Sequence, residues 1–161
     1  MFGFGGDHMN EIIPANPQTN KGGLYIGDWT AADDIKTLAS KGINHVLTAL
    51  PQSIAHKEGY AQKGIKQLII NADDMPSFNM ALHFDKAFEF IAKALENGNV
   101  LVHCAAGISR STTLAMVYLM RARREGFDKC LAFVRTKRAI CTPNFGFQKQ
   151  LKEYAKTHGL E

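Results

Sequence analysis

Nine consecutive residues hold most of the reactive chemistry in this 161-residue chain: His103-Cys104-Ala105-Ala106-Gly107-Ile108-Ser109-Arg110-Ser111. They follow a short apolar run, Val100-Leu101-Val102, and precede a segment from Leu114 to Met120 that is apolar on every side. A strand turning into a helix at this point leaves free N–H groups and positive potential at the helix N-terminus, where anions bind. Gly107 and two alanines keep side chains out of the loop, so several backbone amides can converge on one small ligand. Arg110 adds a planar fork suited to two oxygens of a phosphate. The thiol of Cys104 lies at the base of that cradle. Beside a helix N-terminus and an arginine it should lose its proton more readily than a free cysteine, and the thiolate is the nucleophile. A tetrahedral oxyanion held over a thiolate is arranged for in-line attack on phosphorus, giving a phosphocysteine intermediate. An inert buried thiol would account for Cys104 alone, but it leaves Gly107 and Arg110 at that spacing unexplained.

Such a loop needs elements to hold it. Leu24-Tyr25-Ile26, Ile43–Leu50 and Ile65–Ile70 read as strands, with Pro51 ending the second, and Val100–His103 reads as a fourth. Thr30-Ala31-Ala32-Asp33 resembles a capping box, and Gly42 closes the helix expected after it. Phe84, Phe88, Ile91 and Leu95 share one helical face, with Gly98 as the stop. Two more helices are expected, one opening at Asp128 and one after Pro143, the latter with Phe147, Leu151 and Tyr154 at helical spacing. Strands alternating with helices predict a single α/β domain with a mostly parallel central sheet flanked by helices on both faces. The phosphate-binding loop then joins a strand to a central buried helix. Residues 1–21, rich in Gly, Asn and Pro, read as irregular, and 158–161 as a tail.

His-Cys-x5-Arg followed by Ser or Thr resembles the signature of the cysteine-dependent protein tyrosine phosphatases, and Ala-Gly-Ile-Ser-Arg-Ser resembles their small dual-specificity branch. The likeness runs through most of residues 23–155. Leu24-Tyr25-Ile26-Gly27 with Ala31-Ala32 looks like that branch's first strand and helix. Asp74 precedes Pro76-Ser77-Phe78-Asn79 where the family has its general-acid loop, and Pro143-Asn144-Phe145-Gly146-Phe147-Gln148 resembles the start of its last helix. The resemblance implies a catalytic domain over 22–157 that removes phosphate from phosphotyrosine and phosphoserine or phosphothreonine in proteins. It also implies roles. Cys104 would be the nucleophile and Arg110 the phosphate clamp. Ala105, Ala106, Gly107, Ile108 and Ser109 would complete the phosphate-binding loop. Ser111 would hydrogen-bond the departing thiolate, His103 would order the loop, and Asp74 would act as general acid and then base. No metal or other cofactor is needed, because the loop amides and Arg110 supply the positive potential.

Several residues carry a plainer reading beside the functional one. A histidine at a strand end either supports the fold or tunes the thiolate, and His103 is open to both. Asp73 and Asp74 would ordinarily face solvent or cap a helix, yet the spacing to Phe78-Asn79 favours Asp74 as the acid. Cys130 and Cys141 read as structural, the alternative being a disulfide with oxidised Cys104. Asn144 reads as a cap or loop brace. Trp29 and Tyr60 read as core or rim, the alternative being that they border the active-site mouth.

Composition narrows the classes. With 45% hydrophobic and 21% charged residues the chain is an ordinary globular sequence, with no apolar run of membrane-spanning length and no secretory signal at its start. Three cysteines do not make a disulfide framework, so the expected compartment is the cytoplasm, with the nucleus also open. Net charge is +4, and residues 121–161 carry ten Lys/Arg against four acids. Those cations read as solvated helix faces rather than a nucleic-acid surface, since aromatics do not interleave with them. The expected partner is a phosphorylated protein. A redox protein would want a resolving cysteine close to Cys104, and none is there.

Overall fold

A computed structural model describes residues 7–161. Five strands, β1 (Met9–Ile13), β2 (Leu24–Gly27), β3 (Ile43–Ala49), β4 (Lys66–Ile70) and β5 (Asn99–His103), form one sheet in the order β1-β2-β5-β3-β4. All neighbours pair in parallel except β1, an antiparallel edge strand on β2. The short strands alternate their side chains between two cores. Leu24, Ile26, Leu47, Ala49, Val100 and Val102 face one side, and Tyr25, Val46 and Leu101 the other. Burial on both faces is what makes these strands nearly continuous apolar runs.

The smaller core is closed by α1 (Trp29–Asp33), α2 (Ile35–Ser40) and α4 (Gly59–Gln62), through Ala31, Ala32, Leu38 and Tyr60, and a short α3 (Gln52–Ala55) follows β3. The larger one is closed by α5 (Phe84–Asn97), α6 (Arg110–Arg123), α7 (Phe127–Lys137) and α8 (Phe145–Thr157). Helix α6 buries Leu114, Ala115, Met116, Val117, Leu119 and Met120, so it runs through the centre as the all-round apolar segment requires. Truncating a leucine buried in this way costs about 2–5 kcal/mol. That fixes the axis of α6, and with it the direction of its N-terminus.

Three expectations need correction. The helix after β2 is two short helices, and the caps are Asp28, whose Oδ1 accepts from Ala31 N–H, and Asp34, which accepts from Thr37 N–H. Thr30 therefore lies inside α1 and opens no capping box. Residues 1–6 lie outside the described residues, but the rest of the 1–21 segment is not wholly irregular: Met9–Ile13 is β1, and Asn16 bridges Lys21. Pro14 is tolerated because it falls just past the end of an edge strand. Residues 158–161 are docked rather than trailing. Leu160 packs on the larger core, and Gly126 N–H donates to Glu161 O at 2.6 Å.

Aromatics also meet the C-terminal cations in space though not in sequence. The guanidinium of Arg121 lies 3.7 Å from the ring centroid of Phe88, and that of Arg123 3.6 Å from Phe133. Lys152 sits 5.2 Å from Phe127.

Candidate active site

The chain leaves β5 at His103 and enters α6 at Arg110, so residues 104–109 form a loop at the carboxyl end of the sheet's central strand. Every carbonyl of its first five residues is engaged from outside. His103 Nδ1 lies 3.3 Å from Cys104 O, and Trp29 N–H donates to Ala105 O at 3.1 Å. Arg138 donates from Nη2 to Ala106 O at 3.5 Å and from Nε to Gly107 O at 3.0 Å, and Thr142 N–H donates to Ile108 O at 2.8 Å. In a trans peptide the N–H points opposite to the C=O of the same plane. The amides of Ala105, Ala106, Gly107, Ile108 and Ser109 are thereby turned inward, and among the described residues none meets a protein acceptor. Gly107 has φ +68, a left-handed conformation that favours glycine, and an added Cβ would lie 2.6 Å from Arg138 Nη2 and 2.7 Å from Gly27 O.

Cys104 is buried at the floor. Its Sγ shares a hydrogen bond with Ser111 Oγ at 3.2 Å and accepts Ser111 N–H at 3.4 Å. A sulfur without its proton can only accept, so the Ser111 hydroxyl is placed to donate to a thiolate. Arg110 donates from Nη1 to Ala72 O at 3.0 Å, while its buried Nε has no partner. An orphaned guanidinium donor costs free energy unless a ligand meets it. Together with the five inward amides, it makes a cradle for a tetrahedral oxyanion.

Three loops are tied to one another here. Ala72 O holds Arg110, and Asn144 Nδ2 donates to Asp74 Oδ1 at 2.9 Å. Asn144 N–H donates to Ser109 Oγ at 2.8 Å, and Asn144 Oδ1 caps α8 by accepting from Phe147 N–H. The expectation of a cap or brace for Asn144 understates it, since one residue joins the acid-bearing loop, the phosphate loop and α8. This contact also distinguishes the two aspartates: Asp74 is drawn toward the loop and Asp73 is not.

His103 is fully buried, and burial pushes its pKa down to about 4. Gln67 Nε2 donates to Thr48 Oγ1 at 2.7 Å, and Thr48 Oγ1 and His103 Nε2 are 2.8 Å apart. With Nδ1–H donating to Cys104 O, Nε2 must accept, and the Thr48 hydroxyl must donate to it. The imidazole is therefore neutral at pH 7 and orients the loop rather than adding charge beside the sulfur. A group whose folded pKa lies below its unfolded value of about 6.5 stabilises the fold above that value. The stability is lost as pH falls from about 6.5 to 4, on the order of 3 kcal/mol at most. Thermal melts at pH 7 and pH 5 should show this drop, and His103→Asn should flatten it. An equal drop in the variant would remove His103 as its source.

Cys130 and Cys141 are fully buried, and burial pushes the Cys130 thiol up to about 12 and raises that of Cys141. Both therefore stay protonated and unreactive near neutral pH. Tyr60 is core, its hydroxyl donating to Ala32 O, while Trp29 is exposed. Among the described residues no group of three or more His, Cys, Asp or Glu is arranged to hold a metal ion, and no helix is long and apolar enough to cross a membrane. Sequence reasoning missed Arg138 and the Gln67–Thr48 pair. Arg138 sat unmarked among ten basic residues, and no local pattern separates it from them.

Comparison with known proteins places this geometry. Residues 24–157 match the family model described as dual specificity phosphatase, catalytic domain. The chain is 38% identical over 152 residues to human dual specificity protein phosphatase 22, covering 94% of this chain and 76% of that protein. It is 39% identical over 148 residues to mouse dual specificity protein phosphatase 26, covering 90% and 66%. The crystal structure of human tyrosine phosphatase-like serine/threonine/tyrosine-interacting protein superposes with a TM-score of 0.81 at 29% identity, covering 93% of this chain and 97% of that one.

Proposed function

This chain belongs to the dual-specificity phosphatase family and is a protein phosphatase acting on phosphotyrosine and phosphoserine or phosphothreonine, and from that premise we propose how its site works. Cys104 attacks phosphorus in line, the ester oxygen leaves with a proton from Asp74, and a phosphocysteine forms. Asp74 then takes a proton from water, which attacks phosphorus and releases Cys104 as a thiolate that Ser111 receives. The amides of residues 105–109 and the fork of Arg110 hold the three equatorial oxygens, where charge builds in the transition state. The observation that carries this reading is the buried, unpartnered Nε of Arg110 beside five inward amides over a cysteine sulfur. A phosphate-binding adaptor without turnover would be expected to lack Cys104, Arg110 or the acid, and all three are present.

The pH dependence tests the acid. Attack needs Cys104 ionised and Asp74 protonated, so activity should rise and then fall with pH. Asp74→Asn should remove the alkaline fall and slow turnover roughly 10²-fold. Should Asp73→Asn do this instead, the acid is the neighbouring residue. Asn144→Asp would keep the α8 cap but set a carboxylate against Asp74, and like charges disfavour ionisation. Its alkaline limb should therefore move to higher pH.

The substrate follows from the charges around the cradle. Each extra phosphate of a phosphoinositide needs its own cation. Residues 105–109 provide none, and Lys57 is paired with Asp33. Phosphotyrosine and phosphothreonine peptides should be hydrolysed well ahead of soluble phosphoinositides in kcat/KM at one moderate salt concentration. A phosphoinositide preferred tenfold would overturn the substrate class and leave the cysteine chemistry standing. The expected site of action is the cytoplasm.

A further inference from the structure

Arg138 lies far along the chain from the His-Cys-x5-Arg segment, at the end of α7, yet its side chain is pressed against the phosphate loop. It is 4% exposed, and all of its recorded partners are neutral. Nε and Nη2 donate to Gly107 O and Ala106 O, while Nη1 donates to Asp7 O and to Asn10 Oδ1, both at 2.8 Å. No carboxylate pairs with it among the described residues. The Asp7 carboxylate reaches it only through Asn10, whose Nδ2 donates to Asp7 Oδ2. A buried cation without a counter-ion is costly in a folded chain, and such an arrangement calls for a compensating anion. The fit is also close, since a Cβ at Gly107 would stand 2.6 Å from Nη2.

We propose that Arg138 is a positioning residue of the phosphate loop, its fork aiming the amides of Gly107 and Ile108 at the ester, and its charge balanced by the bound phosphate. The carbonyl of Ala106 shares a peptide plane with the N–H of Gly107, and that of Gly107 with the N–H of Ile108. Gripping two adjacent carbonyls from behind therefore sets two of the five inward donors at once. A guanidinium does this with one rigid plane, whereas an ammonium offers only a point charge. Polarising each carbonyl also strengthens donation from the N–H of the same unit. The anchor for this grip is the N-terminal edge: Asp7 O and Asn10 on β1 hold the outer side of the fork. Strand β1 thus belongs to the support of the loop, although it contributes nothing that touches substrate.

The inference rests on the phosphatase reading of the site, and the test separates the two. With the whole chain, inhibition of phenyl phosphate hydrolysis by inorganic tungstate is measured for wild type, Arg138→Met, Arg138→Lys and Asn10→Ala. Arg138→Met should weaken tungstate inhibition by about tenfold or more and raise KM in parallel, while its melting cooperativity stays that of a folded domain. Arg138→Lys should recover part of the tungstate affinity through its charge, a recovery that a purely structural role would not link to the anion. A folded Arg138→Met variant with tungstate inhibition within about twofold of wild type overturns the proposal. If that variant does not fold, Asn10→Ala decides, because it leaves Arg138 in place and removes one holder. A roughly threefold loss of tungstate affinity supports the grip and an unchanged value overturns it. Wild type that ignores tungstate would instead overturn the reading of the cradle itself.

Discussion

Replacing Cys104 with serine should abolish phenyl phosphate turnover while tungstate still binds. The hydroxyl of serine is far harder to ionise than a thiol, and among the described residues the hydrogen-bond partners of this position are the Ser111 hydroxyl and N–H, which donate and are no bases. Removing the nucleophile of a comparable covalent mechanism costs roughly 10⁴-fold or more. The cradle itself is untouched, because its donors are the amides of 105–109 and Arg110. Equilibrium binding of tungstate should therefore stay within a few-fold of wild type. More than a trace of residual activity in a sample free of wild-type enzyme would sink the thiolate mechanism.

Arg110→Lys should lose both functions together. Arg110 spends Nη1 on Ala72 O, and its buried Nε has no partner. A lysine has one head and cannot hold Ala72 and two phosphate oxygens in a single plane. Loss of a preorganised donor at the developing charge costs about 10²–10³ in kcat, and a bidentate cation stands at the upper end of that range. Tungstate affinity should fall alongside, which separates this variant from Cys104→Ser. Near-normal rates would reduce Arg110 to a brace for the loop that holds Asp74.

What could be read from the sequence was what the chain keeps local. The loop from His103 to Ser111 is one contiguous segment, so strand, cradle and helix start were visible in residue types alone. The same holds for α5, whose buried Phe84, Ile91 and Leu95 recur at helical spacing, and for α6, apolar all round. Strand β1 escaped because Asn10 and Glu11 break the alternation and Pro14 follows at once. The true caps, Asp28 and Asp34, escaped because a break between two short helices leaves no stronger mark than Thr30 did. Arg138 and the Gln67–Thr48–His103 chain escaped for a deeper reason. Their partners lie tens of residues away, and a guanidinium on a distant carbonyl has no periodicity to betray it.

Gly146 has no room for a side chain, since a Cβ there would fall 2.0 Å from Pro76 O. The first turn of α8 and the loop carrying Asp74 meet backbone to backbone, and Gln150 adds a grip from its side chain to Phe78 O and Ala81 N–H. A carboxylate fastened in this way does not swing in when substrate arrives. The entropy lost in placing it is lost once, as the chain folds, instead of at every catalytic cycle. This loop then does not serve as a closing lid, neither discriminating among esters nor slowing their arrival. The enzyme would meet a phosphate on a mobile tail and one on a rigid surface with the same ready-made geometry, and its selectivity has to come from what surrounds the cradle.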